Sequence, residues 1–464
     1  MARILIQGGT IVSSQGASRA DILIEDEQIV RVAPVIEQGP GDEVIDAAGL
    51  LVLPGIIDAH THIKLDTGIY RTADNWVVGT RAAAAGGVTT VIDFATQFPG
   101  QRFDQAVDQR LAETEGAIID YALHCMVTDL PIGSEDALRT LIDRGLPSFK
   151  IYTTYRPNYY MDDAAILRLM RKTAEIGGLV HVHAENDAIV SEATQHLVQT
   201  GRTGWAYHAA GRPPEATQEA VNRIVFLGRL TGCPVYIVHC TTALEIELIA
   251  QARAAGQPVW GETCPQYLLL DTGVYQGDHP EHYILQPPLR APGEPEKLWE
   301  TVSAGKVSVI ATDSCDYTLE QKREYPEFTR TPGGLPGIET LLPLIYTYGV
   351  EAGRITPGDM VRLLCENPAL LFGIADRKGY LKPGCHADVV LYDPSPERTI
   401  HHGDLHYLAG YNPFEGMRVK GAVRMTISRG EIVYRDGEFP AREGRGQFVP
   451  GRPLTPDLIE LLIG

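Results

Sequence analysis

Eight short apolar runs, each followed by a stretch of helical character, constrain this chain more than any other feature. The runs are 51–58, 88–95, 121–127, 148–153, 179–184, 234–240, 257–262 and 307–312. Short apolar runs bounded by turn residues read as strands buried on both faces. Between them, 75–85, 103–115, 134–144, 162–176, 214–230, 242–255 and 295–304 are amphipathic or rich in Ala and Leu, and suit helices. Parallel strands need such crossovers, and eight strand–helix units predict an α/β fold, a (β/α)8 barrel of the TIM type. The rival, a doubly wound open sheet, wants a glycine-rich phosphate turn after its first strand, and none follows here.

The two ends read differently. Residues 3–50 are short alternating runs broken by Gly, Asp and Glu, a small set of β-hairpins. After the eighth run come an irregular loop, 317–337, two helices, 338–348 and 357–372, and then strands at 387–392, 416–428 and 431–435. The segment 425–434 echoes 4–12, each being strand, glycine turn, strand. The expectation is one small β-sandwich built from both ends (1–52 and 376–440), with the barrel (53–375) inserted. Residues 441–464, rich in Gly, Pro and Arg, form an arm lying on this subunit or a neighbour.

The 464 residues are 44% hydrophobic and 21% charged, proportions of a soluble globular protein. A formal charge of −19 argues against nucleic acid and anionic membranes as partners. Seven cysteines without a C-x-x-C pair suggest reduced thiols and a cytoplasmic protein. The first residues lack a signal-peptide pattern, and no window is long and apolar enough for a membrane span.

In a barrel the chemistry sits where the strands end. The first run ends in His60 and His62, which share a face because strand side chains alternate. The fourth carries Lys150; the fifth reads Val180-His181-Val182-His183; the sixth ends at His239 and the eighth at Asp313. Such nitrogen and oxygen donors suit zinc and related divalent ions. On the fifth run either histidine could be the ligand, His183 being nearer the strand end. A lysine inside an apolar strand has two readings. Its depressed pKa leaves a neutral amine that adds carbon dioxide and becomes a bridging carbamate, or it pairs with a buried aspartate.

Nine motifs carry a resemblance. They are Asp58-Ala-His-Thr-His62, Gly86-Gly-Val-Thr-Thr-Val-Ile-Asp-Phe94, Ser148-Phe-Lys-Ile-Tyr-Thr-Thr-Tyr155, His183-Ala-Glu-Asn186, Val238-His-Cys-Thr241, Gly261-Glu-Thr-Cys-Pro-Gln-Tyr267, Pro287-Pro-Leu-Arg290, Thr312-Asp313 and Tyr411-Asn-Pro-Phe-Glu-Gly-Met417. From about residue 3 to about 440 the chain resembles the cyclic amidohydrolases of the amidohydrolase superfamily, the dihydropyrimidinase and hydantoinase group. The resemblance implies a hydrolase with two divalent metal ions, zinc by preference. His60, His62 and Asp313 would hold one, His183 and His239 the other, and carboxylated Lys150 would bridge both. It implies attack of a metal-bridging hydroxide on a ring amide carbonyl. Tyr155 would bind substrate and donate to the oxyanion, and Asp313 would pass the proton to the leaving nitrogen. Hydantoins or dihydropyrimidines would open to N-carbamoyl amino acids. A homo-oligomer, tetramer favoured, is also implied.

The chain departs from the family's pattern at three places. Ser314 follows the aspartate where relatives commonly have His; Gly333 stands where they tend to show Asn, and Gln286 where they tend to show Ser. Gln286 and Gly333 are therefore substrate-binding candidates, with Tyr70 and Arg71 from the loop 64–72. Allantoinase or dihydroorotase activity, the latter needing a cationic grip such as Arg71, and a non-catalytic scaffold homologue are the alternatives.

Overall fold

The structure, a computed structural model, describes residues 3–463. Eight parallel strands succeed one another in chain order in one curled sheet: Ile56–Asp58, Val88–Thr96, Asp120–Met126, Ser148–Tyr152, Leu179–His183, Val235–Ile237, Val259–Thr263 and Val309–Ile310. The last and first meet just beyond their C-terminal ends. Thr61 and Ser314 form a parallel bridge, the His62 N–H donates to the Ser314 carbonyl at 2.8 Å, and the Thr312 N–H donates to Asp58 at 3.1 Å. The ring is thus tied shut at the rim that carries the histidines.

The surrounding helices bury one stripe each. In Asp163–Ile176 the buried residues are Ile166, Leu169, Met170, Thr173 and Ile176, the spacing of a single face. Asp162 caps its start by accepting the Ala165 N–H, and Gly177, left-handed at φ 74°, ends it. A helix not among those predicted, Asp187–Gln199, precedes Pro214–Thr231 and buries Val190 and Leu197.

The expected run 51–58 is two strands. Leu51–Pro54 pairs with Val389–Thr399 and Thr10–Ser13 in a six-stranded sheet, whereas Ile56–Asp58 pairs with Val88–Thr96 in the barrel. The chain changes sheets at Gly55, where a Cβ would lie 2.6 Å from Thr89 Cγ2 and 2.8 Å from Asp388 Cβ. The likeness of 4–12 to 425–434 is likewise only local. Arg3–Gln7 lies in a four-stranded sheet and Thr10–Ser13 in the six-stranded one, with the crossing at Gly8 (φ 76°). Arg418–Ser428 and Glu431–Arg435 do form a hairpin, turning on Arg429 and Gly430, both at positive φ. The six-stranded sheet joins segments from both ends of the chain. The two late helices each contain a π-helical stretch, Tyr346–Glu351 and Arg362–Glu366.

The C-terminal arm lies on its own subunit. It crosses the ring where the strands begin, with N–H groups of Gly446, Val449, Gly451 and Leu454 donating to the carbonyls of Ala117, Tyr121, Gly145 and Gly177 at 2.7–2.9 Å. Its last helix, Pro456–Ile463, sets Leu458, Ile459 and Leu462 against the core beneath. No helix among the described residues is long and apolar enough to cross a membrane.

Candidate metal centre

Above the C-terminal ends of the strands lies a cavity of about 570 Å³, the size of a small-molecule site. His60 and His62 enter it side by side, ring centroids 5.2 Å apart. The Nε2 atom of each is 3.2 Å from Asp313 Oδ1. His60 Nδ1 is engaged by Glu262 Oε1 at 2.8 Å, so its Nε2 is the atom turned to the cluster. Glu262 also accepts the Tyr236 hydroxyl at 2.9 Å and the His239 N–H at 3.0 Å.

On the other side of the cavity His183 and His239 meet edge to face, 4.6 Å apart. His183 Nε2 is 2.7 Å from Glu185, whose carboxylate receives two hydrogen bonds from Arg212, at 2.6 and 3.0 Å. Burial works against this carboxylate, but Arg212 and His183 outweigh it and hold the pKa below the usual range. Glu185 thereby fixes which His183 nitrogen is left over.

Lys150 is 1% exposed and lines the same cavity. Its Nζ sits 5.1 Å from the Phe94 ring centre and 5.4 Å from that of Tyr152, with no carboxylate at salt-bridge distance among the described residues. The buried ion pair that was one reading of this lysine does not form. Burial lowers its pKa to about 8, against the upward pull of Asp313 and Glu262.

The backbone is bent to aim these groups. Seven described non-glycine residues have positive φ, and Tyr155 (71°), His239 (38°) and Asp313 (52°) are three of them. Left-handed backbone at such residues costs about 1–2 kcal/mol each, which the surrounding packing must offset, and such costs cluster at functional sites.

The other predicted residues divide. Tyr155, Gln286, Gly333 and Tyr70 line the cavity; the Tyr155 ring is tilted 52° to that of His183 at 5.1 Å, and Tyr70 donates to Glu324 at 2.9 Å. Arg71 does not line it: its guanidinium faces solvent and pairs with Asp66 at 2.7 Å. The Ser314 hydroxyl turns from the cavity and accepts the Gly337 N–H at 3.3 Å. His181 lies a layer deeper, stacked on Tyr236. Glu185, Glu262 and Arg212 had no role assigned from sequence. Glu185 and Glu262 sit in quoted motifs, and a carboxylate buried beside a histidine was the signal available.

The donor set fits cations. Burial drives His60, His183 and His239 below the ordinary imidazole range and raises Glu262 to about 8. Neutral imidazoles and burdened carboxyls converging on one space gain from added positive charge. His60, His62 and Asp313 bring their donor atoms within 4.8 Å of one another.

The amidohydrolase family model matches residues 51–433. A D-phenylhydantoinase of Escherichia coli (strain K12) is 40% identical over 462 residues, 98% of this chain and 100% of that protein. The solved dihydropyrimidinase from Brevibacillus agri NCHU1002 superposes with a TM-score of 0.95 at 35% identity, covering 98% of this chain and 99% of that one. A D-hydantoinase from a Bacillus sp. AR9 gives 0.94 at 37%, over 97% and 100%. These matches run the length of the barrel and both flanking sheets, and the chain belongs to the amidohydrolase family.

Proposed function

We propose that this protein hydrolyses a ring C–N bond of a cyclic amide, a hydantoin or a dihydropyrimidine, to an N-carbamoyl amino acid. The observation that carries the reading is the convergence of His60, His62, His183, His239, Lys150 and Asp313 on one cavity. The names of the similar proteins, D-phenylhydantoinase and dihydropyrimidinase, agree with it.

His60, His62 and Asp313 would hold one divalent cation and His183 and His239 a second, zinc suiting this donor set. Lys150, unpaired and with its pKa lowered to about 8, would supply neutral amine that could add carbon dioxide and lose a proton, and the resulting carbamate would give the cations an anionic oxygen ligand. When bound, the cations supply a nucleophilic hydroxide at neutral pH and Lewis acidity at the scissile carbonyl. The Tyr155 hydroxyl, raised far above its ordinary range by burial, stays protonated and donates to the oxyanion. Asp313 takes the proton from the attacking water and delivers it to the departing ring nitrogen. Water's oxygen thus joins the carbonyl carbon, and its proton completes the new N–H.

Arg71, the cationic grip expected of a dihydroorotase, is paired to Asp66 outside the cavity. Free, buried cysteines support a reducing, cytoplasmic setting. Exposed Phe226 and Leu230, one turn apart on Pro214–Thr231, support burial against another copy, a tetramer by the resemblance.

The test is a turnover panel on metal-replete protein with metal content measured: hydantoin, 5-substituted hydantoins, dihydrouracil, allantoin and dihydroorotate. Two metals per chain and turnover of a hydantoin or dihydrouracil are expected. Two bound metals with no cyclic ureide hydrolysed would refute the reading.

A further inference from the structure

One wall of the cavity is built from two segments, 284–287 and 331–335, and the carbonyls of Ile284, Leu285, Pro287 and Pro332 are engaged from behind. The buried Lys322 ammonium donates to the Ile284 and Pro332 carbonyls at 2.7 and 2.8 Å, and the Gly334 N–H donates to Ile284 at 3.0 Å. His208 Nε2 is 2.7 Å from the Leu285 carbonyl, and the Tyr267 hydroxyl donates to Pro287 at 2.7 Å. The wall is therefore held from behind by side chains of three other segments.

On its front stands Gln286. Its carboxamide has no hydrogen-bonding partner among the described residues, and it borders the cavity together with Gly333 and Asp313. It occupies room that exists because residue 333 has no side chain. A Cβ there would overlap the Gln286 side-chain oxygen and lie 2.5 Å from its nitrogen. Gly333 does not have the positive φ that would favour glycine by itself; a side chain there would displace the far end of the Gln286 side chain from the room it now fills. A half-exposed carboxamide on a rigid backing offers one acceptor and two donors side by side. Its complement is an amide edge, an N–H beside a C=O.

We propose that Gln286, in the room Gly333 leaves free, is a specificity-determining residue whose carboxamide pairs with an amide edge of the substrate. This rests on the reading of the chain as a cyclic amide hydrolase. The edge can come from the ring itself or from a ureido or carboxamide substituent, and the substrates distinguish the two.

The experiment measures kcat/KM of wild type and Gln286→Ala on hydantoin, 5-methylhydantoin and allantoin. A loss of about tenfold on all three assigns the ring edge; the same loss on allantoin alone assigns the substituent. Values within twofold of wild type on every substrate the wild type hydrolyses overturn the proposal and leave the hydrolase reading intact. A wild type that hydrolyses none removes the hydrolase reading and this one with it. The shared space is tested by a double-mutant cycle. The atoms a Gly333 side chain would meet are the far end of the flexible Gln286 side chain. Gly333→Ala is therefore expected to push the carboxamide aside with little change in Tm and to lower kcat/KM about as far as Gln286→Ala, with no further loss in the Gln286→Ala background. Additive losses in the double variant would show that Gln286 does not fill the room at Gly333.

Discussion

Lys150 and Lys378 are both buried, at opposite ends of the barrel, and their surroundings differ completely. Lys378 Nζ lies 2.7 Å from Asp120 and 2.7 Å from Asp388, and Asp120 is held again by Arg429 at 2.9 Å. Lys150 faces aromatic rings and imidazoles. The first is a charge whose desolvation is compensated, sealed where the C-terminal arm crosses the strands. The second is left partly uncompensated beside a cavity, which makes it a reactive amine. The comparison teaches that a buried lysine declares its role by its partners rather than by its burial.

Replacing Lys150 with alanine should separate the two most sharply. Activity should fall on the order of 10⁴-fold with metal content reduced and the fold kept, and a short carboxylic acid should restore part of it. Full activity and two metals without the acid would end the carbamate reading. At the other end, Lys378→Met leaves buried Asp388 without a cation and Asp120 with Arg429 alone, and should cost about 3 kcal/mol in denaturant unfolding while leaving kcat/KM of the folded enzyme unchanged. A loss of turnover without loss of stability would reverse the assignment.

Glu262→Gln keeps an acceptor for His60 but removes the carboxyl that would ionise behind it once a cation is bound. Metal affinity, read by competition with a chelator, should fall about 10–100-fold; an unaltered affinity would mean that Glu262 does not tune the centre. Lys322 is an intermediate case, held by carbonyls alone. Burial lowers its pKa from 10.5 to about 7. Between those values the unfolded chain keeps a proton that the native state has shed. Native stability therefore rises with pH over that interval, by up to about 1.4 kcal/mol per unit, and this contribution is flat below pH 7. Thermal unfolding of wild type minus Lys322→Met should show that rise from pH 7 to 10; a flat difference would mean that Lys322 does not titrate there.

Much of the barrel and of its rim could be read from the chain alone because both depend on local pattern. A strand of period two places His60 and His62 together, and a lysine inside Ser148–Tyr152 is conspicuous wherever that strand lies. What escaped depends on distant partners. The split of 51–58 at Gly55 is decided by Val389–Thr399, more than 300 residues away.

The amino-acid order by itself determined the eight-unit α/β plan and the donor residues at the strand ends, since apolar periodicity and strand alternation act over a few neighbours. Only the tertiary structure decided which donors meet, that Lys150 has no carboxylate while Lys378 has two, and that Glu262 and the Glu185–Arg212 pair stand behind the histidines. Electrostatic roles depend on distances between residues far apart in the chain, and packing alone sets those distances.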